Sequence, residues 1–245
     1  MLTYMVIVED LHKIYDDGTH AVRGISFRVR QGEIFGLIGP NGAGKSTTLR
    51  MLAGLLKPSR GRVFIGGINV HEKPVEARQL IGYLPEEAEV YSRLTGYEHL
   101  KFYAKLYGVE DLEETIRYGA LLSGLGEKLK IRAGNYSKGM KRRLLLAVAL
   151  MRKPKLAILD EPTSGLDVYA SVNVRKLIKR YVNETRSSVI LSSHNMLEVE
   201  YLCDRIAFIA KGKIIVEGTP AEIKERYGAS NLEEAFIKAV EEYTH

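Results

Sequence analysis

One glycine-rich stretch decides the fold, and it reads Gly39-Pro40-Asn41-Gly42-Ala43-Gly44-Lys45-Ser46-Thr47. It fits the phosphate-loop pattern, in which two glycines separated by four residues are followed by Lys-Ser. The flanks fit as well, because residues 33–38 form a short apolar run typical of a buried strand and residues 47–53 predict a helix. A strand, a glycine loop and a helix in this order are the context that the pattern requires.

The residue types of this loop predict phosphate binding. Gly42 and Gly44 lack a Cβ, so the backbone can adopt positive φ and approach a ligand closely. Consecutive N–H groups and the start of the following helix then attract anionic oxygens. Lys45 brings a positive charge to the phosphates, and Ser46 offers a hydroxyl to Mg²⁺. The candidate nucleotide-binding residues of the loop are Gly39, Asn41, Gly42, Ala43, Gly44, Lys45, Ser46 and Thr47. An ordinary glycine turn is the alternative, and the full pattern with both flanks disfavours it.

Composition sets broad limits. The chain has 245 residues, 45% of them hydrophobic and 27% charged, which allows one large α/β domain or two smaller ones. The net charge of +6 suits nucleic acid, anionic lipid or a nucleotide, but no long block of like charge stands out. The only cysteine, Cys203, cannot form an internal disulfide. No apolar run approaches the ~18 residues of a membrane span.

The order of strand and helix patterns predicts the architecture. Residues 1–35 alternate in the manner of strands, including a first strand over residues 4–8, and predict an N-terminal antiparallel β portion. Residues 95–150 show only helical spacing, which predicts a helical insertion. Strands return after Pro154 with helices between them, and two short helices begin at Pro220 and Leu232. We therefore expect an α/β fold with a mostly parallel sheet flanked by helices.

Two carboxylates follow a second apolar run. Asp160 and Glu161 come directly after residues 156–159. Because ligands of open α/β sheets bind at the carboxyl ends of strands, we expect Asp160 to lie near the glycine loop and to hold Mg²⁺. Glu161 is positioned to orient or deprotonate an attacking water. A pair of surface carboxylates is the alternative. His194 ends a further strand and is a candidate for contact with a γ-phosphate.

The chain resembles the ATP-binding subunits of ABC transporters, which are P-loop NTPases. The resemblance covers nearly the whole chain and rests on six features in the family's order: residues 39–47, 82–86, 136–140, 159–162 and 164–167, and His194. A phosphate loop alone indicates only the broad class of P-loop NTPases. The ordered set is much more specific, and it implies MgATP as the ligand.

The resemblance also implies roles by position. Tyr15 would stack on adenine, with a packed strand-end tyrosine as the alternative. Ser46 and Asp160 would hold Mg²⁺. Glu161 would be the catalytic base, and His194 would contact the γ-phosphate.

The resemblance further implies a head-to-tail dimer that buries two ATP molecules. Ser137 and Gly139, in the family's signature segment, would contact ATP held by the opposite subunit, and Asp167 would lie in a loop that crosses to it. The signature helix is predicted over residues 140–151. The basic residues near its start are predicted to raise the local positive potential, and they are Lys138, Lys141, Arg142 and Arg143.

The chain departs from the family pattern at two places. Lys138 and Met140 replace the usual Gly and Gln of the signature. Glu86 replaces a Gln in the loop that reaches Mg²⁺ and senses the transmembrane partner. Glu86 is therefore a candidate metal ligand. The hypothesis is that its charge strengthens the Mg²⁺ dependence and leaves hydrolysis intact.

The resemblance implies the domain organisation and the partners. Residues 1–245 would form one ATPase domain, with the ATP-binding core in 1–94 and 151–218, the helical subdomain in 95–150, and C-terminal helices in 219–245. The partners would be a transmembrane permease and a second ATP-binding subunit, without nucleic acid, at the cytoplasmic face of the membrane. The residues at the two departures from the family pattern are similar to those of drug, sodium and polysaccharide exporters.

Two other functions are alternatives to a transporter subunit. One is an ABC ATPase without a membrane partner, but such chains generally carry two cassettes or a long coiled-coil insertion, and this sequence shows neither. The other is a P-loop kinase or GTPase. That function leaves the signature segment and His194 unexplained, and the sequence contains no Asn-Lys-x-Asp segment for reading guanine.

Overall fold

The computed structural model describes residues 4–244 and consists of two β-sheets with helices packed around them. The strands are β1 (Tyr4–Ile14), β2 (His20–Arg30), β3 (Ile34–Ile38), β4 (Arg60–Ile65), β5 (Ile68–Asn69), β6 (Ile81–Leu84), β7 (Leu156–Asp160), β8 (Ser188–Ser193), β9 (Arg205–Ala210) and β10 (Lys213–Gly218). The helices are α1 (Lys45–Leu52), α2 (Pro74–Gln79), α3 (Gly96–Leu106), α4 (Leu112–Ser123), α5 (Lys138–Leu150), α6 (Val168–Thr185), α7 (Met196–Leu202), α8 (Pro220–Arg226) and α9 (Leu232–Thr244). Residues 1–3 and 245, at the outer ends of the predicted segments 1–94 and 219–245, lie outside the described part.

The larger sheet has the strand order β10-β9-β3-β8-β7-β6. Strands β9, β3, β8, β7 and β6 are parallel to their neighbours, and β10 pairs antiparallel with β9. Every residue of β3, β7 and β8 is buried. Such continuous burial is expected for parallel strands that are covered on both faces. The predicted α/β class with a mostly parallel sheet is confirmed.

This sheet is the middle layer between two hydrophobic cores. In β3, Phe35 and Leu37 pack with the four-stranded sheet and α1, whereas Ile34 and Ile38 pack on the side of α5, α6 and α7. The alternation follows from the two-residue period of a strand, which sends successive side chains to opposite faces. The middle position holds the carboxyl ends of the parallel strands at one rigid edge.

The smaller sheet is antiparallel, with the order β2-β1-β4-β5, and it confirms the predicted N-terminal β portion. Its first strand was predicted to end at Val8 but continues to Ile14. Asp10, with φ of 47°, lies where the pairing with β2 shifts register. This irregularity interrupts the alternation that the prediction relied on. Strand β5 and helix α2 were not predicted, because each is too short to show a clear period.

Helices α3, α4 and α5 lie between β6 and β7 in the chain, as expected for the helical insertion. The signature helix was predicted from Met140 to Met151 but spans Lys138–Leu150. It begins earlier because the Ser137 side chain accepts a hydrogen bond from the Met140 amide and caps the helix. The division into core, helical subdomain and C-terminal helices stays a prediction. Within residues 4–244, no helix combines the length and apolar character needed to cross a membrane.

Candidate functional site

The glycine loop joins the end of β3 to the start of α1. Gly42 and Gly44 have φ of 78° and 104°, a region that glycine adopts without strain. A Cβ on Gly44 would lie 2.5 Å from the Ala21 carbonyl oxygen, so contact with β2 requires glycine there. A Cβ on Gly42 would meet no atom within 4 Å. Gly42 therefore leaves the backbone open to an approaching ligand.

The other loop residues divide into packed and accessible positions. A Cβ on Gly39 would lie 2.2 Å from the Ile209 carbonyl oxygen, so Gly39 is required by packing against β9. Ala43 is buried, and its amide donates a hydrogen bond to the Pro40 carbonyl. Neither Gly39 nor Ala43 lines the adjacent cleft, whereas Asn41 does. Any nucleotide contact of Gly39 or Ala43 would therefore have to come from the backbone.

A cleft of about 370 Å³ opens at the carboxyl edge of the parallel sheet. Its lining combines the start of β2, the glycine loop and two carboxylates: Thr19, Ala21, Pro40, Asn41, Gly42, Gly44, Lys45, Ser46, Thr47, Glu86 and Glu161. The predicted strand-end residue Glu161 and the predicted loop thus line the same cleft, whereas Asp160 and His194 do not line it. Open α/β sheets bind ligands at this edge.

Asp160 is fully buried beside Ser46 and does not itself line the cleft. Its Oδ1 accepts hydrogen bonds from Ser46 Oγ at 3.2 Å and from Ser192 Oγ at 2.5 Å. Its Oδ2 is buried without a hydrogen-bond partner. A buried carboxylate oxygen without a partner is costly. Hard oxygen ligands suit Mg²⁺, so the Ser46 and Asp160 pair fits this ion.

Glu161 lies between a lysine and a histidine. Lys45 Nζ is 3.3 Å from Glu161 Oε1, an ion-pair contact without hydrogen-bond geometry. On the other side, His194 Nδ1 is 2.8 Å from Glu161 Oε2. Lys45 also donates to the carbonyls of Gly39 and Pro40, at 2.7 and 3.3 Å. The arrangement brings together the three charged or titratable groups that the sequence proposed for chemistry on a phosphate.

Glu86 and Tyr15 both lie near the glycine loop. Glu86 is exposed and lines the cleft, and its Oε1 accepts a hydrogen bond from Ser164 Oγ at 3.4 Å. Tyr15 is half-buried, and its hydroxyl is 3.3 Å from Thr47 Oγ1. Lys13 Nζ lies 5.3 Å from the centre of the Tyr15 ring. Both residues are near the cleft, and their roles toward Mg²⁺ and adenine stay predictions.

The signature residues do not line the cleft of their own chain. Ser137 is exposed at the start of α5, and Gly139 is buried. A Cβ on Gly139 would lie 2.7 Å from the Ala170 Cβ, so glycine allows the starts of α5 and α6 to touch. Asp167 caps α6 by accepting a hydrogen bond from the Ala170 amide at 2.8 Å. Ser137 and Asp167 therefore lie at one exposed corner, separate from the glycine loop, and Gly139 is buried in the contact between the two helices.

The structure corrects the predicted role of Arg142 among the basic residues near the signature. Arg142 is one of the basic residues predicted to raise the positive potential near the signature, but its side chain is buried. Its guanidinium donates to carbonyl oxygens of the two segments that carry Glu86 and Glu161. The signal was present in the sequence, because Arg142 lies three and four residues before Leu145 and Leu146 on a helix. The sequence prediction rested on the positive charge of the residue and did not use that spacing.

Glu198 is a second residue that sequence reasoning missed. It is almost fully buried in the first turn of α7, and its Oε2 accepts a hydrogen bond from Ser193 Oγ at 2.7 Å. Burial raises the pKa of this carboxyl above its usual value, although the Ser193 hydrogen bond opposes the shift. Glu198 lies four residues before Leu202, so the helical period does place it on the buried face.

Comparison with known proteins identifies the family. The ABC transporter family model matches residues 22–164. The chain is 41% identical over 251 residues to the Linearmycin resistance ATP-binding protein LnrL of Bacillus subtilis (strain 168), covering 98% of this chain and 80% of that protein. It is 38% identical over 239 residues to the ABC transporter A family member 12 of Arabidopsis thaliana. That match covers 93% of this chain but only 26% of the longer plant protein.

Solved structures show the same fold. The structure described as the ATP binding subunit of an ABC transporter superposes with a TM-score of 0.83 at 31% identity, covering 96% of this chain and 99% of that one. CbiO1 from Clostridium perfringens, described as part of the ABC transporter complex cbiONQ, gives a TM-score of 0.82 at 29% identity and covers 98% and 99%. The family model spans more than half of the chain, and the bacterial relative matches nearly all of it. The chain therefore belongs to the ABC transporter family, as an ATP-binding subunit and an ABC ATPase.

Proposed function

We propose that this chain binds MgATP, pairs with a second ATP-binding subunit across two shared nucleotides, and hydrolyses ATP to drive a transmembrane exporter. The observation that carries the proposal is the position of Glu161, which lies between Lys45 and His194 beside the glycine loop. Hydrolysis of a γ-phosphate needs a positive charge at the phosphate and a base beside the attacking water. The cleft offers both groups within a few ångströms of each other.

The phosphates and the metal would be held at the base of the cleft. The open backbone at Gly42 and the start of α1 provide N–H donors for anionic oxygens. Mg²⁺ would be held by Ser46 and Asp160, with Glu86 as a further oxygen ligand from the rim. When bound, Mg²⁺ neutralises charge on the phosphate oxygens. Lys45, which contacts the loop's own carbonyls, would turn toward the phosphate.

Glu161 would accept a proton from the attacking water. Its carboxylate is almost fully buried, so its approach to the water is restricted to the cleft side. His194 is half-exposed and would contact the γ-phosphate from the opposite side while holding Glu161 Oε2. Loss of a general base typically costs about 10² to 10⁴ in rate.

The exposed corner at the starts of α5 and α6 would face the second subunit. Ser137 lies there, and Asp167 is followed by Val168 and Tyr169, whose side chains are 81% and 79% exposed. Two neighbouring large apolar side chains at this exposure favour a contact surface. The start of α5 would present N–H groups and Gly139 to a phosphate held by the partner's glycine loop.

An apolar groove on another side of the molecule favours the presence of a protein partner. It has a volume of about 390 Å³ and is formed where the end of α3 meets α1, α2 and β6. Its lining includes Leu55, Val75, Leu106 and Tyr107, all of them exposed. We propose that a segment of the permease inserts here, which would hold the subunit at the cytoplasmic face of the membrane. The groove borders Tyr83, three residues before Glu86.

The direction of transport and the absence of nucleic acid are part of the same proposal. The bacterial relative is named for linearmycin resistance, and resistance to a drug is consistent with export. Arg142 is buried, so it adds no exposed charge for nucleic acid to contact near the signature. The alternative is an ABC ATPase without a membrane partner.

The decisive experiment is affinity capture of the tagged chain from gently solubilised native membranes, with identification of the proteins that accompany it. Leu106→Glu should abolish capture of a polytopic membrane protein while ATP binding persists. Leu121→Glu, at a residue with the same exposure on α4 and outside the groove, is the control. Capture of ribosomes or DNA-repair factors, unaffected by Leu106→Glu, would favour the alternative.

A further inference from the structure

Arg142 is the most extensively bonded side chain next to the site. It lies in the second turn of α5, and only 7% of the residue is exposed. Its Nε donates to the Pro162 carbonyl at 2.9 Å, and its Nη2 donates to the carbonyls of Asp160 and Glu161 at 2.8 and 2.7 Å. The guanidinium thus follows the backbone of the catalytic segment through three consecutive residues.

The same side chain reaches a second segment. Arg142 Nη1 donates to the carbonyls of Pro85 and Glu86, each at 3.3 Å. These residues follow β6, whereas Asp160 ends β7. Arg142 therefore joins three parts of the chain: the signature helix, the Glu86 loop and the catalytic segment. A planar guanidinium with five N–H groups is suited to such a junction.

The catalytic segment requires this support because Glu161 has an unusual backbone. Its φ is 45°, in the left-handed region, where a non-glycine residue costs on the order of 1 kcal/mol or more. The Glu161 amide donates to Ser192 Oγ at 2.9 Å, and the Glu161 carbonyl accepts from Arg142. Both peptide groups of the strained residue are held, one from β8 and one from α5. These two bonds hold the backbone from which its carboxylate extends.

We propose that Arg142 is a positioning residue that sets the direction of the Glu161 carboxylate and links it to the Glu86 loop and to the signature helix. A shift of α5 or of the Glu86 loop would pass through Arg142 to the carboxylate. The inference rests on the proposed role of Glu161 as the base. It adds a specific connection through which the helical insertion controls hydrolysis.

Arg142→Lys separates geometry from charge. Lysine keeps the positive charge but has three donors on one nitrogen, so it cannot serve carbonyls of both segments with the same geometry. We expect kcat to fall about 10- to 100-fold, because a displacement of about 1 Å in a reacting group has costs of this order. The Kd for ATP should stay within about threefold of the unmodified protein, because the glycine loop is not touched by Arg142.

Arg205→Lys is the matched control. Arg205 is also largely buried and hydrogen-bonded, donating to Glu33 Oε1 at 2.8 Å and contacting Glu217, but it begins β9, which lies between β3 and the edge strand β10. We expect Arg205→Lys to leave kcat within about twofold. If it lowers kcat as much as Arg142→Lys does, the effect is general destabilisation and the inference is wrong. Unchanged kcat in Arg142→Lys would also overturn it.

A second background tests positioning directly. Glu161→Gln removes the base, so Arg142→Lys should cause no further loss of turnover in that background. The double variant should still form the ATP-dependent dimer expected of Glu161→Gln. Failure of the double variant to bind ATP would show that Arg142 supports the nucleotide site itself, contrary to the inference. Normal turnover by Glu161→Gln alone would instead contradict the proposed function.

Discussion

Lys45 and Glu161 face each other across the base of the cleft, with Nζ 3.3 Å from Oε1 and only about 5% of each side chain exposed. Two opposite charges at this burial stabilise one another strongly, because little water screens them. A phosphate that enters between them would draw Lys45 away and leave the carboxylate free to act on water.

Replacement of Glu161 tests its proposed role as the base. We expect Glu161→Gln to lower kcat at least about 100-fold, since an amide does not accept the proton from water. ATP should still bind and should hold a stable dimer, measured by light scattering with and without MgATP. Glu87→Gln is the control, because Glu87 is exposed and pairs with Arg50. A Glu161→Gln protein that stayed monomeric in MgATP and turned over normally would contradict both role and architecture.

Replacement of Glu86 should change Mg²⁺ binding more than the rate of ATP hydrolysis. We expect Glu86→Gln to raise the half-saturating Mg²⁺ concentration about 30-fold, because removal of one negative charge about 4 Å from a doubly charged ion is worth ~2 kcal/mol in water. The value of kcat at saturating Mg²⁺ should be nearly unchanged. Titration of ATPase activity with Mg²⁺ measures both. Glu89→Gln, at another exposed position, should not shift the titration, and an unchanged titration in Glu86→Gln would refute the hypothesis.

Tyr15 should contribute through its ring. We expect Tyr15→Ala to weaken ATP binding about 3- to 10-fold, because aromatic stacking is worth ~0.5–1.5 kcal/mol. Tyr15→Phe should bind normally, since it keeps the ring and loses only the contact with Thr47. Binding of inorganic triphosphate, which has no base, should be the same in all three proteins. If Tyr15→Phe were as damaging as Tyr15→Ala, the hydroxyl contact would be the important one.

Glu198 should make stability depend on pH. Burial raises the pKa of this carboxyl in the folded state, so folding favours its protonated form. Its contribution is fully present below the unfolded value near 4.5 and declines as pH rises through the higher folded pKa. Glu198→Gln removes this titration, so its free energy of unfolding relative to the unmodified protein should increase from pH 5 to pH 8. Denaturant unfolding at several pH values measures the difference, and a constant difference would contradict the prediction.

The loop and the strand-end carboxylates could be predicted because their signals are local. Gly44 and Lys45 are neighbours in sequence, and Asp160 follows its own strand directly. The role of Arg142 depends instead on carbonyls 57 and 20 residues away, which only the packing of α5 against the sheet brings near. Backbone acceptors carry no residue signature, so no motif marks them. Glu198 was missed for a different reason: its spacing to Leu202 marks the buried face, but a glutamate on a short helix usually faces solvent.

The signature residues show a second limit of prediction from sequence. Gly139 and Ser137 each have a role within the single chain, one in helix contact and one in capping. The family resemblance implies that they also contact a nucleotide held by the partner. The same two residues would therefore serve both the fold of their own chain and nucleotide binding. A substitution at Gly139 would therefore combine a packing effect with any loss of nucleotide contact.

The strand order has a mechanical consequence. The segments after β6, β7, β8 and β3 carry Glu86, Glu161, His194 and the glycine loop, and these four strands are consecutive neighbours. Strands are about 5 Å apart, so Glu161 lies one spacing from the edge strand and the glycine loop lies three spacings, or about 14 Å, away. A displacement that starts at the edge strand would therefore meet the Glu161 segment before it meets the strand that carries the glycine loop. Such an order would let a change at the edge strand act on hydrolysis more directly than on nucleotide binding.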